Sequence, residues 1–325
     1  MKKSIIFIIT LFTFLTHPIL ANTTNLTAPV ENEEKIVVQK DPIKVENEEE
    51  IVVQKNPIKS EVMVGFYGRP YTPSLGILGE SHIDNVVKKL KEKKAYYDKE
   101  LGENFDVKLA FHLIYGLATR DPGKDNDYII NLPDRTVMKY IKRAQEEGFA
   151  VIIDLQLAVY TPKEALKPVL KYLKYDNVHL ALDPEFRIPK HRKYPPGKFI
   201  GHIFGNEVNE AQELISNYLI ENNILEKKKL IIHMFHKRML RKKELVKNFD
   251  NIELIYNIDG HGMGGIKVQI YNNLYSQNES LIADSGFKIF YKNDKKPLMT
   301  PRQILGIDAV GSRNIKRQPY YINYH

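Results

Sequence analysis

From Glu61 onward, about 265 residues alternate between short apolar runs and lysine-rich amphipathic stretches. Apolar runs bounded by polar residues read as buried strands, and apolar positions recurring every three or four residues read as helices packed against them. The pattern predicts eight strands, at Val62–Tyr67, Val107–Leu113, Ala150–Leu155, Val178–Asp183, Leu230–Phe235, Ile252–Ile258, Phe287–Tyr291 and Tyr320–Tyr324. Between them it predicts helices over Ile83–Leu101, Thr136–Glu147, Lys163–Lys174, Glu207–Glu221 and Lys237–Asn248, with a short one at Thr300–Leu305. Eight strands with intervening helices over this length predict an α/β fold, a single (β/α)8 TIM barrel. A doubly wound open sheet is the alternative, but no glycine-rich phosphate loop follows the first strand.

The first 60 residues follow another pattern. Met1–Ala21 has Lys2 and Lys3, an apolar run from Ile5 to Leu15, a break at Pro18 and a small residue at Ala21, the layout of a secretory signal peptide. The run is too short for a comfortable membrane span. Next come two 15-residue units, VENEEKIVVQKDPIK from Val30 and VENEEEIVVQKNPIK from Val45. Their charges, prolines and lack of aromatics predict an extended, disordered spacer that tethers the barrel, with short edge strands at Ile36–Val38 and Ile51–Val53 as the alternative. The expected domains are a signal peptide at 1–21, a spacer at 22–60 and a barrel at 61–325. The expected location is secreted, periplasmic or cell-envelope associated, with no transmembrane anchor once the signal is removed. The chain has no cysteine, which excludes disulfides, thiolate metal sites, cysteine nucleophiles and a lipid-modified cysteine.

In a barrel of this kind, reacting groups come from the carboxyl ends of the strands. The fourth strand stops on Asp183 and Glu185; read as an extended Asp-x-Glu, the two carboxylates share a face, and crowding tends to leave one of them protonated near neutral pH. One acid beside one base is what glycoside hydrolysis needs. The other strand ends offer Tyr67 and Arg69, His112 and Tyr115, Asp154 and Gln156, His233 and His236, then Asn257, Asp259 and His261, and Tyr291, Lys292 and Asp294. The expected catalytic residues are Glu185, Asp183, Asp259 and Asp154. Expected substrate contacts are Tyr67, Arg69, His112, Tyr115, Gln156, His233, Asn257, Tyr291 and Lys292. Plainer roles stand beside these: His112 as a core histidine, Tyr67 and Tyr291 as packing residues, Gly260–Gly265 as a flexible loop. His233 and His236, three apart, face opposite sides of a strand. The stretch Phe186–Gly201, rich in basic residues, reads as a wall of the binding site.

The runs Gly65-Phe66-Tyr67-Gly68-Arg69-Pro70, His179-Leu-Ala-Leu-Asp-Pro-Glu-Phe186, Phe287-Lys-Ile-Phe-Tyr291 and Pro297-Leu-Met-Thr-Pro301 resemble a group of uncharacterised secreted bacterial barrel proteins, over Val62 to the C-terminus. A fourth strand ending in Asp-x-Glu is also similar to the chitinase-like family 18 and lysozyme-like family 25 glycoside hydrolases. The chitinase-like resemblance implies Glu185 as general acid and Asp183 as the group that orients the substrate's acetamido as internal nucleophile. The chain departs from that family in lacking the full Asp-x-x-Asp-x-Asp-x-Glu run and in having no tryptophan, which leaves tyrosine and phenylalanine for stacking on a sugar.

The chain carries a formal charge of +8, and because Asn22–Ser60 holds 8 acidic and 5 basic residues, the barrel region is the basic part. Lysine clusters at Lys88–Lys94, Lys227–Lys229 and Lys237–Lys243 are expected on outer helices, as solvated faces or as contacts to anionic envelope polymers. Nucleic acid is not an expected partner. Three functions follow: an exported glycoside hydrolase acting on a cell-envelope or environmental glycan without a cofactor; a divalent-metal hydrolase or isomerase drawing ligands from Asp154, Asp183, Glu185, His233 and Asp259; or a non-catalytic glycan-binding barrel.

Overall fold

The computed structural model describes residues 59–191 and 194–325, so the expected signal peptide and all of the expected spacer but Lys59 and Ser60 lie outside the described residues. The strands are β1 (Ser60–Gly68), β2 (Phe105–Ala118), β3 (Ile129–Asn131), β4 (Ala150–Gln156), β5 (Val178–Asp183), β6 (Ile203–Phe204), β7 (Lys228–Met234), β8 (Leu240–Arg241), β9 (Ile252–Ile258), β10 (Asp284–Ile289) and β11 (Tyr321–Tyr324). Eight of them, β1, β2, β4, β5, β7, β9, β10 and β11, pair in parallel in that order. β1 closes the circle by pairing with both neighbours, Met63 with Tyr321 of β11 and Tyr67 with His112 of β2. The fold is therefore a closed (β/α)8-type barrel, with β3 added antiparallel to the end of β2.

Alternation along each strand divides the apolar residues into two cores. Met63, Ala110, Ile152, Ala181, Ile231, Ile255 and Tyr321 fill the lower interior of the barrel. Residues of the opposite parity, such as Val64, Phe111, Ile153 and Ile232, meet the helical layer. That layer comprises α1 (Ile77–Glu80), α2 (Ile83–Leu101), α3 (Asp134–Glu147), α4 (Pro162–Leu166), α5 (Gly205–Glu221), α6 (Gly264–Leu274) and α7 (Pro301–Ile304). Helix α2 turns Ile83, Val86, Val87, Leu90, Tyr97 and Leu101 inward at the spacing of one helical face. Among the described residues, no helix is long and apolar enough to cross a membrane.

Two departures from the expected elements have clear causes. Lys237–Asn248 forms no α-helix, only a 3-10 turn at Lys243–Leu245: Ile203 N–H donates to Met239 O and β8 pairs with β6. Further along, α5 supplies bonding partners that helical backbone would have met internally, Asn209 Nδ2 to Leu245 O, Lys247 N–H to Asn209 Oδ1 and Gln212 Nε2 to Lys247 O. Conversely, the glycine run expected as a loop ends by starting a helix, since Gly264 and Gly265 open α6. The lysine clusters also separate. Lys88–Lys94 lies on α2, but Lys228 and Lys229 belong to β7, where the buried Lys228 ammonium donates to Tyr175 O and Asp176 O and Lys229 pairs with Glu253.

Candidate active site

Moving two residues up each strand from the apolar layer changes the chemistry. The next inward positions are Gly65, His112, Asp154, Asp183, His233, Asn257, Lys288 and Asn323, and the layer above is Tyr67, Ile114, Gln156, Glu185, Phe235, Asp259, Phe290 and His325. All eight of that upper layer line a cleft of about 450 Å3, together with Asp183, Lys288, Phe186 and His261. Glu185 belongs to the layer although β5 ends at Asp183: the chain turns there, and Asp183 Oδ1 accepts the Glu185 N–H at 3.0 Å. The extended Asp-x-Glu expected from the sequence is replaced by this side-chain-braced turn, because Pro184 has no N–H to continue the ladder.

Beneath the cleft lies a buried polar floor. Tyr67 Oη donates to Asp154 Oδ2 at 2.9 Å, His233 Nδ1 bonds Asp259 Oδ2 at 2.9 Å, and His112 Nδ1 bonds Tyr321 Oη at 2.8 Å. The Nε2 atoms of His112 and His233 face each other at 3.4 Å, and lie 3.5 and 3.6 Å from Asp154 Oδ2. Asn257 Nδ2 lies 3.4 Å from Asn323 Oδ1. Two glycines make room for this layer: a Cβ on Gly65 would stand 2.7 Å from Tyr321 Oη, and one on Gly286 would stand 2.5 Å from Asn257 Oδ1. Lys288 closes the group, its ammonium 3.8 Å from Asp259 Oδ2 and 3.8 Å from the centre of the Tyr67 ring.

The electrostatics separate the carboxyls into two kinds. Burial by itself would raise Asp154 and Asp259, but His233 and Lys288, with His112 beside Asp154, outweigh it and hold both carboxyls below the usual range. Burial presses His233 toward its neutral form, and the two carboxylates overcome it, so its pKa is raised; His112, with less support, falls to about 4. Asp183 and Glu185 go the other way. Burial and the charge of neighbouring carboxylates, Asp154 and Asp259 for the first, Asp183 and Asp259 for the second, lift Asp183 to about 6 and Glu185 to about 7. His233 and, to a smaller extent, the N–H that Asp183 accepts favour its charged form, which keeps Asp183 below Glu185.

The positions singled out in the sequence thus divide into three groups. Tyr67, Gln156, Asp183, Glu185 and Asp259 line the cleft, while His112, Asp154, His233 and Asn257 form the floor under it, fully buried. The other four face away from the cleft. Arg69 spends its guanidinium on Ile114 O and Tyr115 O at 3.0 and 2.9 Å, and Tyr115 packs in the outer core. Tyr291 stacks on Tyr324 and Lys292 pairs with Glu80 at 2.7 Å, both in a neighbouring cavity of about 520 Å3 that shares His325 and Asn293 with the cleft. His236 is outside the barrel mouth, as the three-residue spacing from His233 requires. Of the expected wall Phe186–Gly201, Phe186 reaches the cleft, and Arg187 anchors it by a bidentate pair with Glu207 at 2.7 Å. Lys288, Asn323, His325, Phe235 and Phe290 join the site without having been expected there, although each continues the inward parity of a recognised strand.

No protein-family profile matches the chain, and no curated protein does. Among solved structures it is similar to a GH138 enzyme targeting pectin rhamnogalacturonan II, with 13% identity and a TM-score of 0.36 over 71% of this chain. The matched part spans 30% of that protein's length.

Proposed function

We propose that the chain is an exported glycoside hydrolase in which Glu185 is the general acid and Asp183 the orienting carboxylate. The observation that carries this reading is a carboxyl lifted to about 7 in an open cleft, two residues from a second carboxylate that accepts its backbone N–H. A general acid works best with a pKa near the working pH, and Glu185 meets that condition. Phe186, Phe235 and Phe290 give the cleft flat apolar surfaces for the faces of a sugar ring, and Gln156, Asp259 and Lys288 give it polar groups for hydroxyls. A glycan containing N-acetylhexosamine is the proposed substrate class, its acetamido oriented by Asp183 to attack the anomeric carbon as Glu185 protonates the leaving oxygen. Substitution Glu185→Gln keeps the shape and removes the proton, so release of reducing ends from such a glycan should fall by about 100- to 10,000-fold with the circular-dichroism spectrum unchanged. Full activity in Glu185→Gln would overturn the assignment.

Export rests on the Met1–Ala21 pattern. Amino-terminal sequencing of protein recovered outside the cytoplasm should begin after Ala21. The spacer is proposed as a tether, so deleting residues 22–58 should leave the thermal midpoint of the barrel unchanged; a fall of many degrees would refute that role.

A further inference from the structure

We propose that His112, Asp154 and His233 form a binding site for one divalent transition-metal ion of the zinc type at the floor of the cleft. Each residue contributes one ligand atom: the two Nε2 atoms and Asp154 Oδ2, all on fully buried side chains within 4.8 Å of one another. Their separations are 3.4, 3.5 and 3.6 Å. These are long for hydrogen bonds, which cluster at roughly 2.7–3.2 Å. They suit a metal: ligands bonded at about 2.0–2.1 Å in tetrahedral array stand about 3.3–3.4 Å apart. The contrast lies within the same rings, because the outer nitrogens make bonds of 2.8 and 2.9 Å, to Tyr321 Oη and Asp259 Oδ2. An imidazole tied at Nδ1 to a carboxylate or hydroxyl, with Nε2 aimed at a common point, is how proteins fix the tautomer of a metal-binding histidine.

A second observation points the same way. Asp154 Oδ1, the second oxygen of the ligand carboxylate, is buried without any hydrogen-bond partner. Buried polar atoms of this kind call for a partner. Two imidazoles and one carboxylate suit zinc, cobalt or nickel, whereas calcium and magnesium prefer sites built wholly of oxygen. The ligand set differs from the one expected from the strand ends: His112 joins it, Asp259 supports a ligand instead of serving as one, and neither Asp183, in the same layer, nor Glu185, in the layer above, belongs to it.

The test uses the full chain after chelator treatment and requires no glycan, so it stands apart from the outcome for Glu185. Adding Zn2+ should load one ion per chain, with a dissociation constant at or below the micromolar range, and raise the thermal midpoint. Co2+ in its place should give the strong visible absorption of a four-coordinate ion. His112→Gln and His233→Gln should each weaken Zn2+ binding by at least 100-fold, and Asp259→Asn, through loss of the outer bond, by roughly 10- to 100-fold. Weak Zn2+ uptake that is indifferent to these substitutions would mean an adventitious ion only, held by exposed imidazoles such as His82 and His191, and would overturn the proposal. Should the variants fail to fold, the parent protein decides alone: no midpoint shift with Zn2+ and no four-coordinate Co2+ band would overturn it equally.

Discussion

Asp183 holds Glu185 in place: the carboxylate that ends β5 accepts the backbone N–H of the residue two positions on, across Pro184, at 3.0 Å. The proline cannot donate, so Asp183 takes the N–H of Glu185, which ties the first carboxylate to the backbone of the second residue. Burial and neighbouring charge raise both carboxyls, and Glu185 is the higher of the two.

The raised pKa of Glu185 makes stability fall with pH. Its folded value of about 7 lies above the ordinary 4.5, so between these values the folded protein holds a proton that the unfolded chain has released. The stabilising contribution is complete below about pH 4.5 and lost as pH rises through 7. Thermal midpoints of the parent should decline across that window from this site, and Glu185→Gln should decline less and exceed the parent at pH 8. A parent and variant with parallel pH profiles would show that Glu185 does not carry the shift.

Asp183 raises Glu185 by its charge, so Asp183→Asn should bring Glu185 down. The alkaline limb of the activity profile, which reports loss of the acid's proton, should move to lower pH by on the order of one unit. Glycan cleavage should also drop severely at every pH. A pH–rate measurement on the residual activity separates the two effects.

Gly65 is confined by Tyr321. Because an added Cβ would lie 2.7 Å from Tyr321 Oη, Gly65→Ala should destabilise the barrel by about 1–3 kcal/mol, the usual cost of overpacking, measurable as a lower urea midpoint at unchanged slope. Wild-type stability in Gly65→Ala would mean that the Tyr321 side chain can give way without cost.

Arg187 is predicted to act on the cleft from outside it. Replacing it with leucine removes two charge-assisted bonds to Glu207 and one to His202 O, a loss of about 1.5–3 kcal/mol. Phe186, the adjacent cleft wall, should loosen, raising KM for a glycan more than it lowers kcat.

The strands were legible because their apolar runs are buried on both faces, inside against the barrel core and outside against helices, which leaves little ambiguity in Val151–Ile153 or Leu180–Leu182. Asp183, Glu185 and Asp259 were legible because polarity begins abruptly where those strands end. Lys288 and Asn323 were not, since a polar residue between apolar ones in a strand looks like a solvent-facing position, and only closure of the barrel turns that face inward. Helix α6 was hidden by its two opening glycines. The false helix at Lys237–Asn248 came from leucine and lysine spacing, with no sign that Asn209 and Gln212 would reach its backbone from α5.

Closure of β1 onto β11 also governs when the site can exist. His112 and its partner Tyr321 are 209 residues apart in the chain, His112 and His233 are 121 apart, and Tyr67 and Asp154 are 87 apart. Contacts of such high sequence separation form late and slowly, since long loops must close before they are rewarded. A chain that has folded through β10 has the acid pair on β5 but no Tyr321 beneath His112 and no His325 at the rim. Docking of the final strand completes the barrel and the polar floor in one event, so competence for chemistry should appear on refolding only with the last kinetic phase of the whole domain.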